Sequence, residues 1–258
     1  EQTLSGVISG AGFLVKDVAD SSTLTLSGVN SYSGDIDIDA GAVVIGSAGQ
    51  LESGNYSGAL DIATGTSFEY ASSEDQTLSG VISGGGDLIK DVDSALILTG
   101  VNTHTGTINI DQGSVVIGGA GQLESGNYAG AVDIAGGATL QYASSTDQIV
   151  SGVISGAGVL LKDTETSVLT LTAVNTHTGN IGLDSGSIVI ANDGQLQSGS
   201  YGGEINIASD ATLQYSSTAE QTFSGVISGE GTLVKDTVDS STLTLSAVNT
   251  HSGDIDLD

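Results

Sequence analysis

The chain has 258 residues, with 31 Asp and Glu against four Lys, no Arg and three His, for a formal net charge of −27. A surface this anionic repels phosphate backbones, which are bound through Lys and Arg that displace counterions, and it repels anionic lipid surfaces, so nucleic acid is not an expected partner. Cys, Met, Pro and Trp are absent, which excludes disulfides, thiolate chemistry and Cys zinc sites, and no run of about 18 apolar residues could span a membrane as a helix.

The remaining composition, with 39 Gly and 38% hydrophobic residues that alternate with Ser, Thr and Asp, favours short strands and turns over helices or disorder. The stretch Ser5–Gly10 (SGVISG) returns unaltered at Ser79–Gly84, Ser151–Gly156 and Ser224–Gly229, each time with a Gln three residues upstream: Gln2, Gln76, Gln148 and Gln221. Repetition at a period of about 73 residues implies a stack of like units rather than a globule with one centre. The expected organisation is one continuous solenoid segment over residues 1–258, with repeats at about 1–74, 75–146, 147–219 and a partial 220–258. It reads as a window of a longer array.

In chain order, Phe13-Leu14-Val15-Lys16-Asp17 predicts a short strand whose inward face is ambiguous, because Leu14 and Val15 point to opposite sides. Ser22–Ser27 is clearer: Leu24 and Leu26 alternate with Thr, and the pair recurs as Leu96 and Leu98, Leu169 and Leu171, Leu243 and Leu245, so these face a core. A turn at Val29–Gly34 leads to Asp35-Ile36-Asp37-Ile38-Asp39, with Ile inward and Asp outward. After Gly41, Ala42–Ile45 predicts another strand, followed by a loop whose GQLESGNY recurs whole at Gly121–Tyr128. Leu60 and Ile62, then Phe68 and Tyr70, complete the unit. Two-residue Asn-Gly or Asp-Gly hairpin turns are nearly missing, and a propeller blade of about 40 to 50 residues does not divide the period. Three coils of about 24 residues do, which makes this an all-β protein, a parallel β-helix (β-solenoid) of ten or eleven coils.

The series Gly12-x-Leu14-x-Lys16, Leu24-x-Leu26-x-Gly28-x-Asn30-x-Tyr32-x-Gly34, Ile36-x-Ile38-x-x-Gly41 resembles the autotransporter-associated β-strand repeat of bacterial secreted passenger regions. Matching blocks lie at residues 10–46, 84–118, 156–190 and 229–257. The resemblance implies a right-handed parallel β-helix, export to the bacterial cell surface, and an adhesive or structural role. Two departures stand out: an acidic, Ser/Thr-rich insertion after the Lys (Val18–Ser22, Thr164–Ser167, Thr237–Ser241), and His in place of Tyr at three positions.

Candidate chemistry is sparse. His104, His177 and His251 recur once per unit, roughly 14 Å apart if three coils intervene, too far to share an ion, and the first copy has Tyr32 there. They read as turn aromatics. Asp35, Asp37 and Asp39, and Asp254, Asp256 and Asp258, are the candidate Ca²⁺ ligands; a flat strand spaces them about 6.6 Å apart, so chelation needs help from a neighbouring coil. Lys16, Lys90, Lys162 and Lys235 are the fixed cations and read first as local charge partners. A covalent crosslink from them to Asn30, Asn102, Asn175 or Asn249 would need a buried carboxylate beside each pair. Without Arg, and with carboxylates repeated rather than set apart, no enzyme is expected, and neither is a cofactor other than Ca²⁺. The expected function is a structural or adhesive repeat segment of a large secreted surface protein or fibre, a stalk or scaffold in adhesion or biofilm. Its partners would be neighbouring repeats, other copies of itself, or surface glycans and cell surfaces. The alternatives are a subunit of an end-to-end filament and a glycan- or calcium-binding module.

Overall fold

The computed structural model of the chain describes residues 1–17, 22–236 and 241–257, and of Glu165 the backbone. Its strands pair in parallel throughout, and the regular structure besides strands consists of three-residue 3-10 turns, Glu52–Gly54 being the first. The chain divides into two compact units, Glu1–Ser125 and Gly126–Asp258.

In the first unit the strands build three parallel ladders, one for each side of a three-sided coil. Gln2 lies beside Leu24, Leu24 beside Val43, Val43 beside Phe68, Phe68 beside Leu88 and Leu88 beside Ile108. Leu14, Ile36, Leu60 and Ile82 form the second ladder. Asn55, Thr77, Ile97 and Val116 form the third. The steps between successive partners in the first ladder are unequal, and a turn is on average shorter than the sequence period suggested.

That shortening changes the architecture. The first repeat carries ten strands, from Gln2–Leu4 to Ser67–Ser72, and ten strands around three sides make three and a third turns rather than three. The next repeat therefore begins one side further round. Gln2 stands in the first ladder but its counterpart Gln76 in the third; Leu14 stands in the second but Leu88 in the first. Each column is filled by unlike members of the repeat, apolar in Leu24, Val43, Phe68, Leu88 and Ile108 and mixed where Lys90 stands between Tyr70 and Ile110.

The second unit is built in the same way. Tyr128, Val150, Leu171, Ile190, Tyr215, Lys235 and Leu257 follow one another in one ladder, seven strands deep. Leu140 and Leu160 continue through Ile181, Ile205 and Ile227 in a second. Tyr201, Phe223 and Leu245 belong to a third.

The strand faces resolve the ambiguity at residues 14–16. Leu88 and Lys90 are buried while Ile89 between them is not, and Val15 is 48% exposed, so Leu and Lys share the inner face. The acidic insertion is a bulge where it is described: in Val159–Leu171, Asp163 pairs with Ser185 but Val168 with Ser187, so Thr164–Ser167 stand against Gly186 alone and the excess loops out without ending the strand. The corresponding insertions at Val18–Ser22 and Thr237–Ser241 fall largely outside the described residues.

Glycine sets the tightness of one corner. Gly34, Gly58, Gly80 and Gly100 sit in successive turns, and a Cβ on each would fall far inside contact distance of the carbonyl oxygen of the glycine below. Only a residue without Cβ lets the turns approach this closely.

Candidate functional site

Four kinds of polar residue that recur through the repeats, Asn, Gln, the His or Tyr of the corner, and Lys, turn toward the interior. Asn30 is 1% exposed. Its Oδ1 accepts the Ile8 N–H from the turn below at 2.8 Å, and its Nδ2 donates to Gly28 O at 2.9 Å and to Gln50 O of the turn above at 3.1 Å. Asn102 accepts from Ile82 N–H (2.8 Å) and donates to Gly100 O (3.1 Å); Asn175 accepts from Ile154 N–H and donates to Ala173 O; Asn249 accepts from Ile227 N–H. Each Asn is thus a clamp, buried at Asn30, Asn102 and Asn175 and half-buried at Asn249, that satisfies backbone groups where the corner interrupts the ladder.

Two residues on, the aromatic position does related work. Tyr32 donates its hydroxyl to Gly12 O at 2.5 Å and to Asp35 O. His104 and His177 place Nε2 at 2.7 Å from Gly86 O and 2.8 Å from Gly158 O, so the proton sits on Nε2. Burial holds both imidazoles below their ordinary range, with the Gly carbonyl pulling the other way. His251 is 3.3 Å from Asp254 O. The histidines are corner pieces interchangeable with Tyr.

Sequence reasoning left two sets of residues without a role. Gln76, marked only as a phase signal, is buried and imitates a strand: Oε1 accepts the Leu51 N–H (2.8 Å) while Nε2 donates to Leu51 O and Thr77 O. Gln221 repeats this with Leu196 and Thr222. Tyr56 and Tyr201 donate to Gly34 O and Gly179 O, and Tyr70 to Glu74 O. Burial raises all three phenols, that of Tyr70 to about 12. The available signal was their even spacing from Leu78, Leu60 and Phe68, which puts them on the inner face.

The lysines, expected as charge partners, turn inward instead. Lys90 and Lys162 are fully buried, Lys16 and Lys235 nearly so. Among the described residues Lys90 and Lys162 have no ion-pair partner: the Lys90 ammonium donates to Val92 O and lies 5.8 Å from the Tyr70 ring centroid, and that of Lys162 donates to Thr164 O (2.6 Å), 5.8 Å from the Tyr142 ring. Lys16 donates to Ala40 O and Lys235 to Asp236 O. Burial depresses Lys90 and Lys162, countered by the fields of Asp91 and Asp163. At Lys90 and Lys162 the ammonium closes the bulge that follows, and the Tyr70 or Tyr142 face supplies cation–π attraction. It does not meet Asn102 or Asn175, whose amides are engaged at the corner, so the arrangement does not bring the components of a Lys–Asn crosslink together. Lys90→Met, which keeps the volume and removes a buried charge, is expected to leave stability unchanged or raise it by up to about 2 kcal/mol, whereas Lys90→Ala lowers it by about 3 kcal/mol through the cavity it opens. The thermal unfolding midpoints of the two variants check this.

With the described lysines inside, the exterior carries carboxylates as its fixed charges. Of the candidate Ca²⁺ ligands, Asp35 Oδ1 accepts the Ala59 N–H at 2.8 Å. Asp37 lies beside Asp61 in the ladder, and Asp61 accepts from Ser83 Oγ. Desolvation, then Asp61, raises the Asp37 carboxyl. Asp39 follows on the same strand edge, Asp254 and Asp256 are exposed, and Asp258 lies outside the described residues. Among the described residues no group of three or more His, Asp or Glu is arranged to hold a metal ion.

The loop GQLESGNY holds Glu52 and Ser53 both in left-handed conformation, φ 44° and 53°. The Glu52 carboxylate accepts the N–H and hydroxyl of Ser57, and Gln197 Oε1 accepts the Gly202 N–H in the equivalent loop. The strain is offset within the loop itself.

Comparison with known proteins agrees with this geometry. The passenger-associated-transport-repeat model matches residues 19–45, 93–117 and 238–258, which in the first, second and fourth repeats carry the Leu pair and the Asn corner. An adhesin of Brucella suis biovar 1 (strain 1330), the BmaC autotransporter, is 30% identical over 181 residues; the match takes in 70% of this chain and spans about 5% of that protein's length. No solved structure matches. The repeats, their inward-facing signature and the similarity to an adhesin autotransporter together identify the chain as a run of autotransporter-associated passenger repeats.

Proposed function

We propose that the chain is a stalk or scaffold segment in the secreted, surface-borne passenger of a large bacterial adhesin, carrying adhesive ends rather than binding or catalysing by itself. The observation that carries this reading is where the repeated polar residues go. The repeated Asn, Gln, Tyr, His and Lys side chains are spent inside the coil on backbone groups. What faces outward is a changing series of Ser, Thr, Asp and Glu, with single apolar side chains such as Val29, Val101 and Val174 among them, that shifts by one side of the coil with every repeat, which suits a solvated spacer more than a localised pocket.

The test is binding by this segment alone. Saturable attachment to intact cells, matrix proteins or a glycan array is expected to be absent, while shortening the parent protein by one repeat should change its reach and keep its adhesion. Saturable binding that is lost on a single outward substitution would favour the binding-module reading instead.

A further inference from the structure

His177 is 1% exposed. Its Nε2–H is used by Gly158 O, and its Nδ1, also buried, has no hydrogen-bond partner. From above, the Tyr201 ring lies 6.3 Å away and nearly parallel, at 18°, with its hydroxyl committed to Gly179 O. From below come the Ile154 and Gly158 backbone. Tyr201 is the titratable group that faces the imidazole, and its raised phenol stays neutral throughout the acid range; among the described residues no carboxylate contributes to the surroundings of His177. His104 occupies the same place on Gly86 O, with Asp87 and Glu124 near enough to favour its charged form. The first repeat performs the same task with Tyr32, which has no proton to gain.

We propose that the corner at His177 is an acid-sensitive latch: a proton taken from solvent onto Nδ1 creates a buried imidazolium with no acceptor, and the Asn175–Gly179 corner opens away from the turn below, while the Tyr32 corner stays shut. The sign follows from linkage. An imidazole that is neutral when folded and takes up its proton near pH 6.5 when freed contributes stability fully present above that pH and lost as pH falls beneath it. In the open corner His177 is freed, so opening gains about tenfold for each pH unit below 6.5 until the closed form is itself protonated.

Amide hydrogen exchange of the full chain, corrected for intrinsic rates, reads this out. Between pH 7.5 and 5.0, amides at residues 175–181 should lose roughly 30-fold in protection, and His177→Tyr, which copies the protein's own first repeat, should abolish the loss. Unchanged protection in the unmodified chain, or an equal loss in His177→Tyr, overturns the proposal. NMR titration of the unmodified chain is independent of whether that variant folds: His177 must remain neutral well below pH 6.5, and titration at or above that value overturns the proposal as well.

Discussion

Gly80→Ala is expected to cost at least about 3 kcal/mol, out of proportion to the addition of one methyl group. The new Cβ would overlap Gly58 O, a backbone atom of the turn beneath that cannot rotate away, and Gly100 above follows the same path. Relief requires the turns to part, which breaks parallel ladder bonds on either side of the corner. Gly136→Ala is the control, since its Cβ would meet nothing closer than the Ala157 Cβ at 3.9 Å and no unusual φ is needed. That substitution should be neutral or stabilise by about 0.5 kcal/mol by restricting the unfolded chain. Denaturation midpoints of the two variants, followed by circular dichroism, give the comparison.

Asn102→Ala is the second large effect, about 3 kcal/mol of destabilisation. The side chain is 1% exposed and bonded at both ends. Truncation leaves the Ile82 N–H buried without that partner, at a cost of about 1–3 kcal/mol, and takes one of two donors from the Gly100 carbonyl, which keeps the Gln122 N–H, while the lost side chain opens a small cavity. Asn206→Ala removes an exposed amide bonded to Ser228 Oγ and should stay within about 0.5 kcal/mol of the unmodified chain. If the two Asn substitutions cost the same, the clamp is not what holds the corner.

Much of this was visible in the residues, and what was not has physical causes. Leu24-Thr25-Leu26 and Ile36-Asp37-Ile38 alternate, and alternation on short strands separated by Gly is enough to predict a β-coil. Alternation says which side a residue faces and nothing about its neighbour in the next turn. Turn length depends on corners of unequal size, the path from Leu24 to Val43 being shorter than that from Val43 to Phe68, so three turns per repeat could not be told from three and a third. The difference decides which unlike residues share a column, as Gln2 and Gln76 show by standing on different sides.

The lysines were misplaced by a rule that usually holds, that charge faces water. Leu14-x-Lys16 and its copies carried the contrary signal, since Lys keeps phase with a core Leu. The compensation, a bulge carbonyl and the face of a Tyr from the preceding turn, depends on how the turns stack and leaves no local trace. The Asn corner was recognisable as a turn, but its three-way bonding depends on the turn below and, for Asn30, the turn above. The acid candidates fared differently again. Asp35 proved to cap Ala59, a role that strand periodicity could not show.

Everything above depends on strands pairing in parallel about one turn apart, and the chain has no native Cys to confuse a crosslinking test. Glu69 lies directly beside Ile89 in the ladder, within reach of a disulfide if both become Cys, whereas a hairpin would set Glu69 against Thr77 on the following strand. The Glu69→Cys, Ile89→Cys double variant should form its bridge readily in the folded chain, and Glu69→Cys with Thr77→Cys should not. Bridging of the second pair in place of the first would contradict the parallel coil and everything argued from it.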